Sequence, residues 1–218
     1  MNQLIFKFPF SKKYYKQDFF VSNNNFSAYK LIEEWPTWPG KWLNIFGAPG
    51  SGKTHLAKIL EKKINKIKLI DAKNVDDGII RDLNTIDCLI IDSFENNIEE
   101  NLLYSILNES KQLENYILIN STPSIKNINF DLKDLKSRIN SFLYIGIELP
   151  TDDLLKVIIS KTFSDKQVNI NPKISDYIIN NVERSYEKLF KFLKDVDEMS
   201  LSTGKSININ LIKKVLNK

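Results

Sequence analysis

Five short apolar runs mark out the first two thirds of the chain, at residues 42–46, 66–71, 86–92, 116–120 and 143–149. Each is shorter than a typical helix and rich in Ile and Leu, as a strand buried on both faces requires. Between them, apolar residues recur at helical spacing over residues 54–60, 75–83, 98–113 and 131–139, with a shorter helix ahead of them at 26–32. Strands alternating with helices predict an α/β unit, a five-stranded parallel sheet with helices on both faces. The connector Trp35-Pro36-Thr37-Trp38-Pro39-Gly40 is rich in turn residues, and the tryptophans at 35, 38 and 42 are expected to cover the edge of its core. The pattern changes at Pro150. Beyond it only helical periodicity remains, at residues 151–164, 172–182, 186–201 and 208–216, with Thr151 and Asn208 as N-caps and Gly204 as a stop. The expected organisation is a tail over residues 1–9, an α/β domain over 10–150 and a small all-helical domain over 151–218.

Composition narrows the class without naming it. With 31 Lys and Arg against 27 Asp and Glu, the net charge is +4, too mild to argue for nucleic-acid binding alone. No apolar run approaches the roughly 20 residues of a membrane helix, and the first residues do not read as a secretory signal. The single cysteine, Cys88, has no internal disulfide partner, which fits a reducing cytoplasm. The tail carries Gln3, Leu4, Phe6 and Phe8, with apolar groups at alternate positions as in an extended peptide that docks in a partner's groove. The same alternation suits a strand that pairs with the body of the protein.

The chemistry is concentrated in Gly47-Ala48-Pro49-Gly50-Ser51-Gly52-Lys53-Thr54, which satisfies the phosphate-loop pattern GxxxxGK[ST]. It lies between a predicted strand and a predicted helix, the context in which backbone N–H groups and the helix N-terminus face phosphate oxygens. Lys53 offers a cation for the β and γ phosphates, and Thr54 a hydroxyl for Mg²⁺. Asp92, expected at the end of the third strand, supplies the matching carboxylate beside the loop, so Thr54 and Asp92 form the candidate metal pair. His55, inside the following helix, reads as structural.

Phosphate loop, acid-ended strand, polar-ended fourth strand at Asn120 and helical C-terminal region together resemble the AAA+ ATPases. The finer resemblance is to the DnaA-related group. The segment from Asp18 to Tyr29 is similar to the stretch that borders the adenine pocket in that group, with Asn25 and Ala28 in pattern and Ser22 where a glycine is usual. Leu135-Lys136-Ser137-Arg138 resembles the group's arginine-finger segment, and residues 120–122 fall at sensor 1. The resemblance thus implies a site made of Phe20, Val21, Asn25, the loop from Gly47 to Thr54, His55 and Asn120, holding ADP or ATP with Mg²⁺. It also makes Arg138 a finger that acts in trans. Full-length initiators continue past the lid into a DNA-reading domain. The sequence stops there and carries the Gln3-Leu4-x-Phe6-x-Phe8 tail, which is similar to the Hda branch of the family. That branch implies docking on the polymerase III β sliding clamp and hydrolysis of initiator-bound ATP, with DNA reached mainly through the clamp. It further implies a cytoplasmic, replisome-associated setting, no membrane, and room for a homodimer.

Three positions depart from an active ATPase of the family. Ser93 follows Asp92 where a second acid orients water, and Glu95 is offset by two residues. Glu187 falls where the lid's sensor 2 arginine belongs, leaving Arg184 or Lys188 for that task. Sensor 1 is the third. Weak intrinsic hydrolysis is therefore expected. The alternatives are an AAA+ helicase loader of the DnaC type, a small-molecule kinase and a sequence-blind DNA binder. A kinase would need clustered arginines, and the chain has only Arg81, Arg138 and Arg184, far apart in sequence.

Overall fold

The computed structural model describes residues 14–217, so the tail with Gln3, Leu4, Phe6 and Phe8 lies outside the described residues. The described chain divides into two compact units, one ending at Glu148 and the other beginning at Leu149.

In the first unit the elements run α1 (Phe26–Glu34), β1 (Trp42–Gly47), α2 (Lys53–Glu61), β2 (Ile67–Asp71), α3 (Gly78–Asp82), β3 (Cys88–Phe94), α4 (Glu100–Gln112), β4 (Tyr116–Ser121), α5 (Lys133–Ile139) and β5 (Leu143–Ile147). The strands form one parallel sheet in the order β2-β3-β4-β1-β5. Side chains alternate between its faces as the strand period demands. Leu43, Ile45, Cys88, Ile90 and Leu118 meet Ala28 and Ile32 of α1 and Leu56, Ala57 and Leu60 of α2. On the opposite face Leu89, Ile91, Ile117 and Ile119 meet Ile79 of α3, Leu103, Ile106 and Leu107 of α4, and Leu135 of α5. β3 is buried from both sides, and each of its fully covered Ile or Leu side chains contributes about 1.5–3 kcal/mol of apolar burial. A five-stranded parallel sheet with helices on both faces was the expected architecture, and it is the one observed.

The sheet places Asn44 inside the core, fully buried, and satisfies it completely. Its Nδ2 donates to the Ile119 carbonyl at 2.8 Å and to Ser121 Oγ at 2.9 Å, and its Oδ1 accepts from Ile125 N–H at 3.1 Å. The turn that follows β4 is thereby tied to the strand that feeds the phosphate loop. Trp38 and Trp42 are buried, and Trp35 and Trp38 both set their rings edge-on to Tyr116.

One expectation needs correction. β3 does not end on Asp92; it runs on to Phe94, which pairs with Ser121 after a break in register. Ser93 adopts a left-handed φ of 60°, a conformation that costs a non-glycine residue about 1–2 kcal/mol. The resulting bulge turns Phe94 fully into the core, beyond the strand expected to stop at Asp92. The helix expected over 75–83 is also shorter, because the turn at residues 72–74 precedes it and α3 begins only at Gly78.

The second unit consists of α6 (Asp152–Ser164), α7 (Pro172–Asn181), α8 (Tyr186–Thr203) and α9 (Ile209–Leu216). Each begins at a side-chain cap. Thr151 accepts from Leu154 N–H, Asn171 from Lys173 N–H, Ser185 from Lys188 N–H and Asn208 from Leu211 N–H. Gly204, at φ +63°, ends α8. Ile159, Phe163, Ile178, Leu193, Val196 and Ile212 form its separate core. No helix among the described residues is long and apolar enough to cross a membrane.

Cys88 tests the sheet directly. It is fully buried, and burial pushes its thiol up to about 12, with the Asp87 carboxylate acting in the same direction. At neutral pH the folded protein is expected to resist maleimide labelling and to take up one equivalent after denaturation in guanidinium. Rapid labelling of the native chain would contradict the position of β3.

Candidate functional site

The loop from Gly47 to Thr54 leaves the C-terminal end of β1 and enters α2, the arrangement that aims a helix N-terminus at a bound anion. Gly52 caps α2 at φ +100°, and a Cβ added there would lie 2.9 Å from the Phe19 ring. Glycine is thus required at position 52 both by the backbone and by a neighbour. Lys53 folds back over the loop and donates to the carbonyls of Gly47 at 2.6 Å and Ala48 at 3.0 Å. Burial lowers its pKa, while the Asp92 and Glu95 carboxylates pull in the opposite direction. A half-buried lysine cation held by carbonyls is suited to a phosphate oxygen.

Asp92 is 7% exposed and joins three elements. Its Oδ2 accepts from Thr54 Oγ1 at 2.8 Å, and its Oδ1 accepts from Asn120 Nδ2 at 2.9 Å. Asn120 Nδ2 also reaches the Lys53 carbonyl at 3.1 Å. The sequence-predicted Thr54, Asp92 and Asn120 therefore converge, although they come from α2, β3 and β4. Two buried polar atoms in these segments lack partners among the described residues, Ser51 Oγ and Asn120 Oδ1. A hydroxyl without an acceptor and an amide oxygen without a donor fit a phosphate and its bound water. The residues present thus fit a nucleoside phosphate with Mg²⁺, an ion often held by one carboxylate plus substrate phosphates.

The leading segment is anchored by its own polar groups. Asn25, 3% exposed, donates to the Phe20 carbonyl at 2.9 Å and accepts from Ser22 N–H at 2.9 Å, while Asn24 C=O accepts from Glu148 N–H at 3.1 Å. Phe20 is left 44% exposed and Val21 half-buried. His55 meets the rings of Tyr14 and Phe19 edge-on, each at 5.3 Å, and its Nε2 lies 2.7 Å from the Tyr15 carbonyl. That is a structural position, fastening residues 14–19 to α2. Phe19 went unselected in the sequence. Its role depends on the stack with Tyr29 (5.7 Å, 8° between planes) and on Gly52, neither of which shows in its spacing.

Arg138 takes no part in the hydrogen bonds around Asp92. It sits on α5, and its Nη2 donates to Asn108 Oδ1 of α4 at 2.7 Å. Ser93 is exposed on the bulge and Glu95 is exposed just beyond it. In the helical unit, Arg184 pairs with Asp152 at 3.1 Å, and Glu187 is exposed in the first turn of α8.

Gly52→Ala is expected to lower stability by about 1–3 kcal/mol through the left-handed φ and the Phe19 clash, and to weaken nucleotide binding at least about tenfold. Thermal melting and nucleotide titration check both. Unchanged melting would contradict the contact between Phe19 and the loop.

Residues 152–216 match the family described as Hda, lid domain. Over 95% of its length the chain is 24% identical to the chromosomal replication initiator protein DnaA of Buchnera aphidicola subsp. Cinara cedri, of which it covers 53%. It spans about half the length of the initiator proteins it matches. Domain III of DnaA from Thermotoga maritima superposes with a TM-score of 0.79 at 19% identity, covering 96% of this chain and 98% of that one. AMPPCP-bound DnaA from Aquifex aeolicus superposes with a TM-score of 0.69 at 19% identity, covering 89% and 68%. Residues 152–216 thus match an Hda-type lid, and the chain as a whole has the fold of DnaA domain III and is similar in sequence to DnaA initiators.

Proposed function

We propose that this protein regulates replication initiation by binding an adenine nucleotide, docking on the sliding clamp and lending Arg138 to an initiator, whose ATP is then hydrolysed. The observation that carries this reading is the separation of Arg138 from the chain's own Asp92 network. The guanidinium is held on α5 by Asn108, with no hydrogen bond to the phosphate loop. A guanidinium supplied to a transferring phosphoryl group accelerates P-loop hydrolysis by about 10³–10⁵.

The chain's own site supports binding over turnover. The N–H groups of the loop and Lys53 would cradle the phosphates, Thr54 and Asp92 would hold Mg²⁺, and Phe20 and Val21 would border the base. Mg²⁺ supplies neutralisation of phosphate charge when bound. Ser93, with its left-handed φ of 60°, offers no carboxylate to orient water. Nucleotide binding has support from the DnaA structure determined with AMPPCP. Clamp docking rests on Gln3, Leu4, Phe6 and Phe8, and the cytoplasmic setting on composition and on this reading. A homodimer is compatible with it.

The test uses initiator preloaded with labelled ATP, clamp-loaded DNA and this protein. Accelerated hydrolysis is expected, reduced about a thousandfold by Arg138→Ala and lost on deletion of residues 1–8. Absence of acceleration by the unmodified protein would retire the reading and favour helicase loading. A second measurement concerns the chain alone. Single-turnover hydrolysis is expected to be slow and unaffected by Arg138→Ala, while Lys53→Ala abolishes nucleotide binding. Brisk turnover that survives Arg138→Ala would contradict a binding-only site.

A further inference from the structure

The charge that Arg138 would deliver to another molecule has to be aimed before that molecule arrives, and α4 carries the groups that aim it. At its N-terminal end Glu100 accepts hydrogen bonds from the N–H groups of Asp131 (3.0 Å) and Leu132 (2.8 Å), the two residues ahead of α5. About two turns further along, Asn108 Oδ1 accepts from Arg138 Nη2 at 2.7 Å, near the other end of α5. Leu103, Ile106 and Leu107 bury α4 in the sheet's core, and Glu99 caps it through the N–H groups of Asn101 and Leu102. α5 is seven residues long and too short to be stable alone. It is held at both ends by side chains of one well-anchored helix.

The chemistry at position 108 is selective. Among the described residues Arg138 has no carboxylate partner; its guanidinium donates to an amide oxygen. An amide oxygen restricts one arm of the guanidinium fork and leaves its full charge. A carboxylate would engage the fork in two bonds and neutralise it.

We propose that Asn108 is a positioning residue, which presets Arg138 for delivery in trans without neutralising it. This rests on the reading of Arg138 as a finger. The experiment titrates Asn108→Ala, Asn108→Asp and Arg138→Ala proteins against ATP-loaded initiator on clamp-loaded DNA. Asn108→Ala is expected to lower the maximal stimulated rate about ten- to a hundredfold while the half-saturating concentration changes less than about twofold. A loose fork leaves docking intact, so only the rate should move. Asn108→Asp is expected to be at least as slow, although it keeps an acceptor. The Asn108→Ala, Arg138→Ala double variant should be no slower than Arg138→Ala alone.

Wild-type rates in Asn108→Ala, or a shift in half-saturation with an unchanged maximal rate, would overturn the positioning role while leaving the finger in place. Full stimulation by Arg138→Ala would instead remove the finger itself. A second readout is independent of catalysis and of variant folding. With ¹⁵N-arginine labelling, Arg138 should show slower rotation about its Cζ–Nη bonds in the wild-type chain than Arg81. Equally fast rotation at both would overturn the proposal.

Discussion

A carboxylate removed from water near the C-terminal ends of the strands must be met by donors, and the arrangement around Asp92 is the constraint on which the rest of the first unit depends. Thr54 and Asn120 meet it, one from the helix after the phosphate loop and one from the neighbouring strand. Because Asn120 also holds the Lys53 carbonyl, the start of α2 is fixed to β4 through a side chain. Asn44 carries the same linkage on, joining β1 to the turn beyond β4. The strands that define the site are thus locked by polar contacts inside an apolar core, where each such bond is stronger and each unpaired group more costly than at the surface.

In the proposed reading that rigidity serves to hold a phosphate, and the position after Asp92 carries a serine hydroxyl in place of a carboxylate. The bulge places the exposed Ser93 hydroxyl directly after Asp92, where a second acid would stand, and turns Phe94 inward. Arg138, the group with the chemistry to accelerate hydrolysis, is attached to α4 and α5 instead. The proposed function therefore assigns binding and acceleration to separate parts of one fold. Residues 152–216 match the Hda lid family, and one of the DnaA structures that the chain resembles was determined with AMPPCP bound.

Much of this was legible in the sequence, for identifiable reasons. The strands were visible because a parallel sheet buries both faces, so Ile90 and Ile91 read as one apolar run despite facing different helices. Glycines and caps were visible because their backbone demands are local, as at Thr151, Asn208 and Gly204. The extension of β3 past Asp92 was not, because a left-handed serine has no periodic signature. Phe19, Asn44 and Asn108 were also missed. Each acts through a partner distant in sequence, such as Ile125 for Asn44 and Arg138 for Asn108, and spacing carries no information about such pairs. The role proposed for Arg138 rests on resemblance, not on any pattern in the residues around it.

The most direct measurement of this division of labour follows two nucleotides in one reaction. This protein would carry ATP with one label and the initiator ATP with another, on clamp-loaded DNA, and both products would be quantified together. The expected result is conversion of the initiator's label alone, with the label on this protein remaining bound and intact over the same interval. Conversion of this protein's own label, with the initiator's ATP untouched, would contradict a finger acting in trans and make the chain an ATPase in its own right.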